Sequence, residues 1–379
     1  MARQVVVCCD GTWNVPDEAR EGVAAPTNVA RLALCVAVGG DSDQLLFYEP
    51  GVGTRPDDRA LGGGFGYGLS ENIRNAYRFL AEQYQPEDDL FLFGFSRGAY
   101  TARSLAGLIR NCGLLRREHS DQVDAAFAFY RDRTSTTHPS SLASELFRRM
   151  YAYDASDIHF IGVWDTVGAL GIPSNLPGWE QVSREYHGWE RLWGFHDTQL
   201  SSHVHHAYQA LAIDEQREPF RPCLWTQDPN PGDQTLEQVW FSGVHTDIGG
   251  GSRRSALSDI ALLWLVGRAQ DCGLRLDAGT LRPGGGGGAG QPVAPDYAAP
   301  IVDSRTGMYK LLHAFHRLRE LPVTDAPGQM IASSADRRYR EHIDGYSPPG
   351  LTDYLGALSV ATVDGEAGAA LTRASPAPT

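Results

Sequence analysis

Residues Asp89 to Leu115, DLFLFGFSRGAYTARSLAGLIRNCGLL, read as a strand, one abrupt turn and a helix, with a serine at the turn. Leu90, Phe91, Leu92 and Phe93 form an apolar run too short for a helix and suited to a strand buried on both faces. Gly94-Phe95-Ser96-Arg97-Gly98 then fits G-x-S-x-G, the nucleophile elbow, in which a serine is pushed off a strand end onto a helix start. The glycines answer a steric need: Gly94 and Gly98 let strand and helix come close while the serine takes strained dihedrals. Beyond the turn, Ala99, Ala102, Leu105, Ala106 and Ile109 recur at helical spacing. The positive end of that helix and the N–H of Arg97 would face an oxyanion developing on a substrate at Ser96. The plainer reading of the same residues is a tight connection whose serine only caps the helix.

Working outward, buried-strand patterns recur at Val5–Cys9, Gln44–Tyr48, Ile158–Trp164 and Leu236–Phe241, with a further element at Ala207–Ile213. Between them lie helical patterns such as Val29, Leu32, Ala33 and Val36, or Leu69, Ile73, Tyr77 and Leu80. Alternation of this kind predicts an α/β fold, a doubly wound, mostly parallel sheet of α/β-hydrolase type with helical and loop insertions. Ligands of such sheets gather where strands end at their carboxyl side. Asp10-Gly11-Thr12 leaves the first strand there, and the N–H of Gly11 or Thr12 is the expected second oxyanion donor, with Asp10 supporting the site or capping its own turn. Asp165 follows the strand at Ile158–Trp164 and is the expected acid, in the chain order Ser, Asp, His. Asp214 is held in reserve for that role. His245 follows a late strand, among glycines that let it reach Ser96, and is the expected general base; Asp247 is expected to fix its loop.

The 379 residues are read as a single domain over 1–355, with a helical insertion at 116–154 and an aromatic-rich loop insertion at 171–206. A Gly/Pro-rich flexible loop is expected at 281–300, a helix at 307–320, and a disordered tail at 361–379. The net charge is -13 and Lys310 is the only lysine, which argues against a nucleic-acid footprint formed by the fold as a whole. The six cysteines are scattered in mostly apolar contexts, as buried thiols of a reducing compartment are. No signal peptide or bilayer-spanning stretch is read, so a cytoplasmic protein is expected, with peripheral membrane contact left open and oligomeric state unread. His203, His205 and His206 match no tight ligand set, and no metal or other cofactor is expected. The run from Gly62 to Gly68 lacks the Gly-Lys-Ser/Thr end of a phosphate-binding loop, and is read as a mobile loop near the site. Asp10-Gly11-Thr12 also fits part of a D-x-D-G-T phosphatase motif, but Cys8 stands where the nucleophilic aspartate belongs.

Four motifs in order, CCDGTWN (Cys8–Asn14), GFSRGAYTAR (Gly94–Arg103), GVWDTVGALG (Gly162–Gly171) and WFSGVHTDIGGG (Trp240–Gly251), closely resemble the DUF2235 family. That family contains the catalytic domain of Tle1-type phospholipase effectors of bacterial type VI secretion. YEPGVGT (Tyr48–Thr54) and ALAIDEQREPFRPCLW (Ala210–Trp225) fit the same pattern. The resemblance implies a serine triad of Ser96, Asp165 and His245, a small-molecule ester or lipid as substrate, no cofactor, and export by a type VI-like route as an option. Two other functions remain to be weighed. One is a non-catalytic binding member of the fold; the other is a metal-dependent phosphohydrolase built on Asp10, Asp165, Asp247 and the histidines near His203.

Overall fold

The computed structural model of the protein describes residues 2–11, 14, 19–20, 23–38, 43–52, 65–132, 134–154, 156–168, 199–217, 220–228, 230–277, 281, 292–304, 319, 321, 327–357 and 359–361. Its centre is one sheet built from β1 (Gln4–Cys9), β4 (Gln44–Glu49), β5 (Asp89–Phe95), β6 (Ile158–Trp164), β7 (Val204–Ala212), β8 (Thr235–Phe241), β9 (Gln329–Ala332) and β10 (Ser359–Ala361). The order is β10-β9-β8-β7-β6-β5-β1-β4 and every neighbouring pair is parallel. A small antiparallel pair, β2 (Ala19–Arg20) and β3 (Val23–Ala24), stands apart from it.

A parallel sheet needs cover on both faces, and β5 shows how the sequence supplies it. Leu90 and Leu92 point to one face, and Phe91, Phe93 and Phe95 to the other, each entering a different core cluster. On the first face pack α2 (Phe65–Gln83), α3 (Arg97–Cys112) and α4 (Val123–Arg131), with Ile73, Tyr77, Leu105 and Ile109 in the core. On the second pack α1 (Asn28–Val38) and α7 (Ala256–Asp271), which meet Phe160, Trp164, Tyr208 and Trp240. The buried pair Arg31 and Asp259, 2.5 Å apart, ties these two helices together.

The chain starts at β1, goes outward to β4, then returns past β1 to β5 and continues the other way. Strand order therefore reverses between β1 and β5, where the ligand crevice of an open α/β sheet lies. Cys9 pairs with Gly94 across this junction. A Cβ on Gly98 would stand 2.0 Å from the Cys9 carbonyl oxygen, and one on Gly94 2.5 Å from the Gly98 oxygen. Backbone lies on backbone here, so no side-chain rearrangement relieves the clash. Gly98→Ala is accordingly expected to destabilise the fold by about 3 kcal/mol or more. Chemical denaturation would show it; a loss below 1 kcal/mol, on the order of a tolerated surface change, would contradict this packing.

The insertion between α3 and β6 carries α4 and α5 (Leu142–Tyr151). Several expected boundaries shift. Strand β7 starts at Val204 and takes in His205 and His206, because these residues continue the ladder on β6. Helix α2 begins at Phe65, so Phe65 to Gly68 are helical rather than part of a loop. The sheet runs past residue 355: after α8 (Ser333–Arg340) and α9 (Leu351–Ala357), β10 pairs with β9, and Ala361 belongs to this edge strand, not to a tail. Residues 362–379, 282–291, 307–318 and most of the aromatic-rich loop lie outside the described residues. Among the described residues no helix is long and apolar enough to cross a membrane.

Candidate active site

Ser96 follows β5 with φ 57° and ψ -119°, a left-handed conformation that a residue with a Cβ occupies at a cost of about 1–3 kcal/mol. The neighbouring strand holds it there: its N–H donates to the Trp164 carbonyl at 3.1 Å. The hydroxyl makes no capping bond to α3. Instead Oγ lies 2.8 Å from Nε2 of His245.

His245 opens the short helix α6 (His245–Gly249), which follows β8 after Gly243 turns the chain at φ 121°. Its ring is packed between Phe95 and Phe220, with centroids 4.6 and 4.9 Å away. A Cβ on Gly249 would come within 2.0 Å of the Phe95 ring, so glycine is what lets helix and ring meet. The backbone N–H of His245 donates to Glu215 at 3.2 Å.

Asp165 follows β6 at φ 39° and is fully buried. Its Oδ2 accepts from His245 Nδ1 at 2.6 Å and from Arg319 Nη2 at 2.9 Å. Its Oδ1 accepts from Arg319 Nη1 at 2.6 Å and from the Ala212 N–H at 3.0 Å. Burial alone would raise the carboxyl, but Arg319 and His245 outweigh it and hold Asp165 well below the usual carboxylate range. Burial lowers His245, and the hydrogen bond to Asp165 offsets this only in part, so the imidazole is neutral at neutral pH. A carboxylate on Nδ1 fixes the tautomer that donates there and accepts from Ser96 at Nε2.

The structure thus brings together three residues that are 149 positions apart at the extremes, Ser96, Asp165 and His245. Helix α3 points its amino-terminal end, with the Arg97 N–H, at Ser96. Gly11 follows Asp10 just past β1. Its N–H is captured by the adjoining Asp10 carboxylate at 2.6 Å, and the other oxygen of Asp10 accepts from Thr27 Oγ1 at 2.7 Å and Tyr48 Oη at 2.5 Å. Asp10 therefore joins Gly11 to Thr27 and Tyr48 at the end of β1. Thr12 lies outside the described residues.

Asp214, the reserve acid, does not touch His245. It accepts from the Gly243 N–H at 2.6 Å and Tyr346 Oη at 3.0 Å, and burial raises it to about 6. Asp247, raised by burial to about 6, accepts from the N–H groups of Val244 and Val302, joining the His245 loop to a distant segment. His203 and His205 pair with Asp157 at the amino-terminal end of the strands, the opposite edge from Ser96. Among the described residues no three His, Cys, Asp or Glu side chains gather as metal ligands would, so the set built on Asp10, Asp165, Asp247 and His203 does not assemble.

Sequence patterns gave four contributors no role. Arg319 stands alone in a helical pattern, with no motif to mark it. Phe95 and Phe220 wall the imidazole, yet read only as apolar positions. Glu215 pairs with Arg217 at 2.9 Å and accepts from Ser304 at 3.1 Å while supporting the His245 backbone.

A parallel sheet with helices on both faces and a strained serine at the strand-order reversal defines an α/β-hydrolase-like domain. The chain belongs to the family of Tle1-like phospholipase effectors of the type VI secretion system, catalytic domain, whose model matches residues 3–268. It is also similar to the uncharacterized protein YEL023C of Saccharomyces cerevisiae, with 30% identity over 250 residues, 60% of this chain and 33% of the relative. A crystal structure of an uncharacterized protein from Pseudomonas aeruginosa aligns with a TM-score of 0.44 and 19% identity, over 73% of this chain and 46% of the other. The chain thus spans a third of the yeast relative's length and under half of the Pseudomonas protein's.

Proposed function

We propose that the protein hydrolyses carboxylic esters of lipids, phospholipids included, through an acyl-enzyme on Ser96. The observation that carries this reading is the unbroken hydrogen-bonded line from Ser96 Oγ through the His245 ring to Asp165. His245 Nε2 takes the hydroxyl proton as Oγ attacks the ester carbonyl, and the resulting imidazolium is stabilised by Asp165. The tetrahedral oxyanion is received at the amino-terminal end of α3 by the Arg97 N–H. Collapse expels the alcohol, which takes the proton from His245. Water then attacks the acyl-enzyme with the same base, releasing the carboxylic acid and restoring Ser96. Family membership supports a lipid ester over a simple one, and a lipid substrate implies peripheral contact with a membrane or micelle surface.

The test is covalent. With EDTA present throughout, the protein should hydrolyse p-nitrophenyl esters, favouring long acyl chains, and then phospholipid vesicles. A fluorophosphonate should stop this turnover and add its mass to the peptide carrying Ser96. Active protein labelled elsewhere, or activity that survives complete labelling of Ser96, would sink the assignment. An unlabelled and inert protein would point to the binding-only member of the fold.

A further inference from the structure

We infer that Arg319 is a positioning residue that governs how readily His245 takes up a proton, by sharing the charge of Asp165. This inference rests on the Ser96, His245, Asp165 reading of the site. The guanidinium lies across both carboxylate oxygens, Nη1 to Oδ1 at 2.6 Å and Nη2 to Oδ2 at 2.9 Å, the fork geometry that fixes a carboxylate plane as well as its position. Its side chain is 4% exposed and that of Asp165 0%, so water does little to screen the pair. The same two nitrogens donate onward to the carbonyls of Ala212 at 2.8 Å and Phe220 at 2.5 Å. Phe220 is the edge-on wall of the His245 ring. Arg319 therefore anchors the acid and the ring's wall together.

The electrostatic consequence follows from proximity. Oδ2 of Asp165 divides its lone pairs between His245 and Arg319, and one full positive charge stands against the carboxylate. An imidazolium formed beside a compensated carboxylate is held less tightly than one beside a bare carboxylate, and passes its proton to the leaving alkoxide more readily. Asp165 is held at φ 39°, a strained conformation for a residue with a Cβ, and the two-point grip of Arg319 fixes its carboxylate there. Arg319 lies beyond residue 268, where the family match ends, so the chain completes its site with a residue from outside the matched region.

The experiment compares wild type, Arg319→Gln and Arg319→Lys as full chains, reading kcat/KM on a p-nitrophenyl ester against pH. In parallel, the His245 ring is titrated by NMR with 13C-labelled histidine in a Ser96→Ala background, which needs no turnover. For Gln, both the acid limb and the NMR midpoint move to higher pH, and plateau kcat/KM falls roughly 10²-fold as the carboxylate loses its fixed orientation. For Lys, which keeps the charge but cannot fork, the midpoint stays at the wild-type position and kcat falls with KM unchanged. A Gln variant whose midpoint is unmoved, or moves down, would overturn the inference and leave Arg319 a structural residue. Should Gln not fold, Lys decides: a His245 midpoint that leaves the wild-type position although the charge is kept overturns it equally. Failure of the underlying reading shows separately, as hydrolysis that persists in Ser96→Ala.

Discussion

Ser96→Ala is expected to lower kcat for ester hydrolysis by on the order of 10⁵ to 10⁶, with KM little changed. On the proposed mechanism Oγ is the atom that forms the acyl bond, and among the described residues no other hydroxyl lies on Nε2 of His245. The fold should tolerate the change. Alanine has the same Cβ that serine already places at φ 57°, and the backbone bond to Trp164 does not involve the side chain. The expected result is a protein with unaltered unfolding midpoint and a residual rate due only to substrate binding and oxyanion donors. Steady-state rates together with fluorophosphonate titration of active sites would separate this from contamination. A variant keeping more than about a tenth of wild-type kcat, a loss under roughly 1.4 kcal/mol of barrier, would remove Ser96 from the role.

Asp165→Asn should lower kcat by about 10⁴, since an amide cannot accept from Nδ1 and also neutralise the imidazolium, and it favours the wrong tautomer. Here the substitution carries a second penalty. Arg319 would face an amide in place of an anion while 4% exposed, and a buried charge left without its partner costs about 3–5 kcal/mol. Two measurements are therefore expected to fall together, kcat and the denaturation midpoint, whereas Ser96→Ala moves only the first. An Asn variant as stable as wild type would show that Arg319 finds compensation elsewhere. One that retained kcat would show that the acid is another group.

Much of this architecture is legible because parallel strands buried on both faces are written as short apolar runs. Val5 to Cys9, Leu90 to Phe93 and Ile158 to Trp164 each announce a strand, and the residue just past such a strand is where site chemistry collects. Ser96 and Asp165 could be picked in that way, and His245 by the glycines around it. Arg319 could not: its place depends on a tertiary contact 154 residues from its partner, and no local period encodes that. The partner of the Gly11 N–H is hidden for a different reason. Pattern reading placed the loop, but not the competition within it, where the Asp10 carboxylate reaches the neighbouring N–H first. Strand β10 escaped notice because Ser359-Val360-Ala361 is too short and too mildly apolar to stand out, and it takes its identity from pairing with β9.

The reversal of strand order between β1 and β5 also sets a timetable. The elbow needs β1, β5 and α3, all within the first 112 residues, whereas the imidazole comes from the far wing of the sheet. At about 5–20 residues per second of synthesis, the 149 residues separating Ser96 from His245 correspond to roughly 7 to 30 s. During that interval a nascent chain can display a formed elbow without His245 beside it, so on the proposed mechanism it would be silent toward lipids until His245 is made.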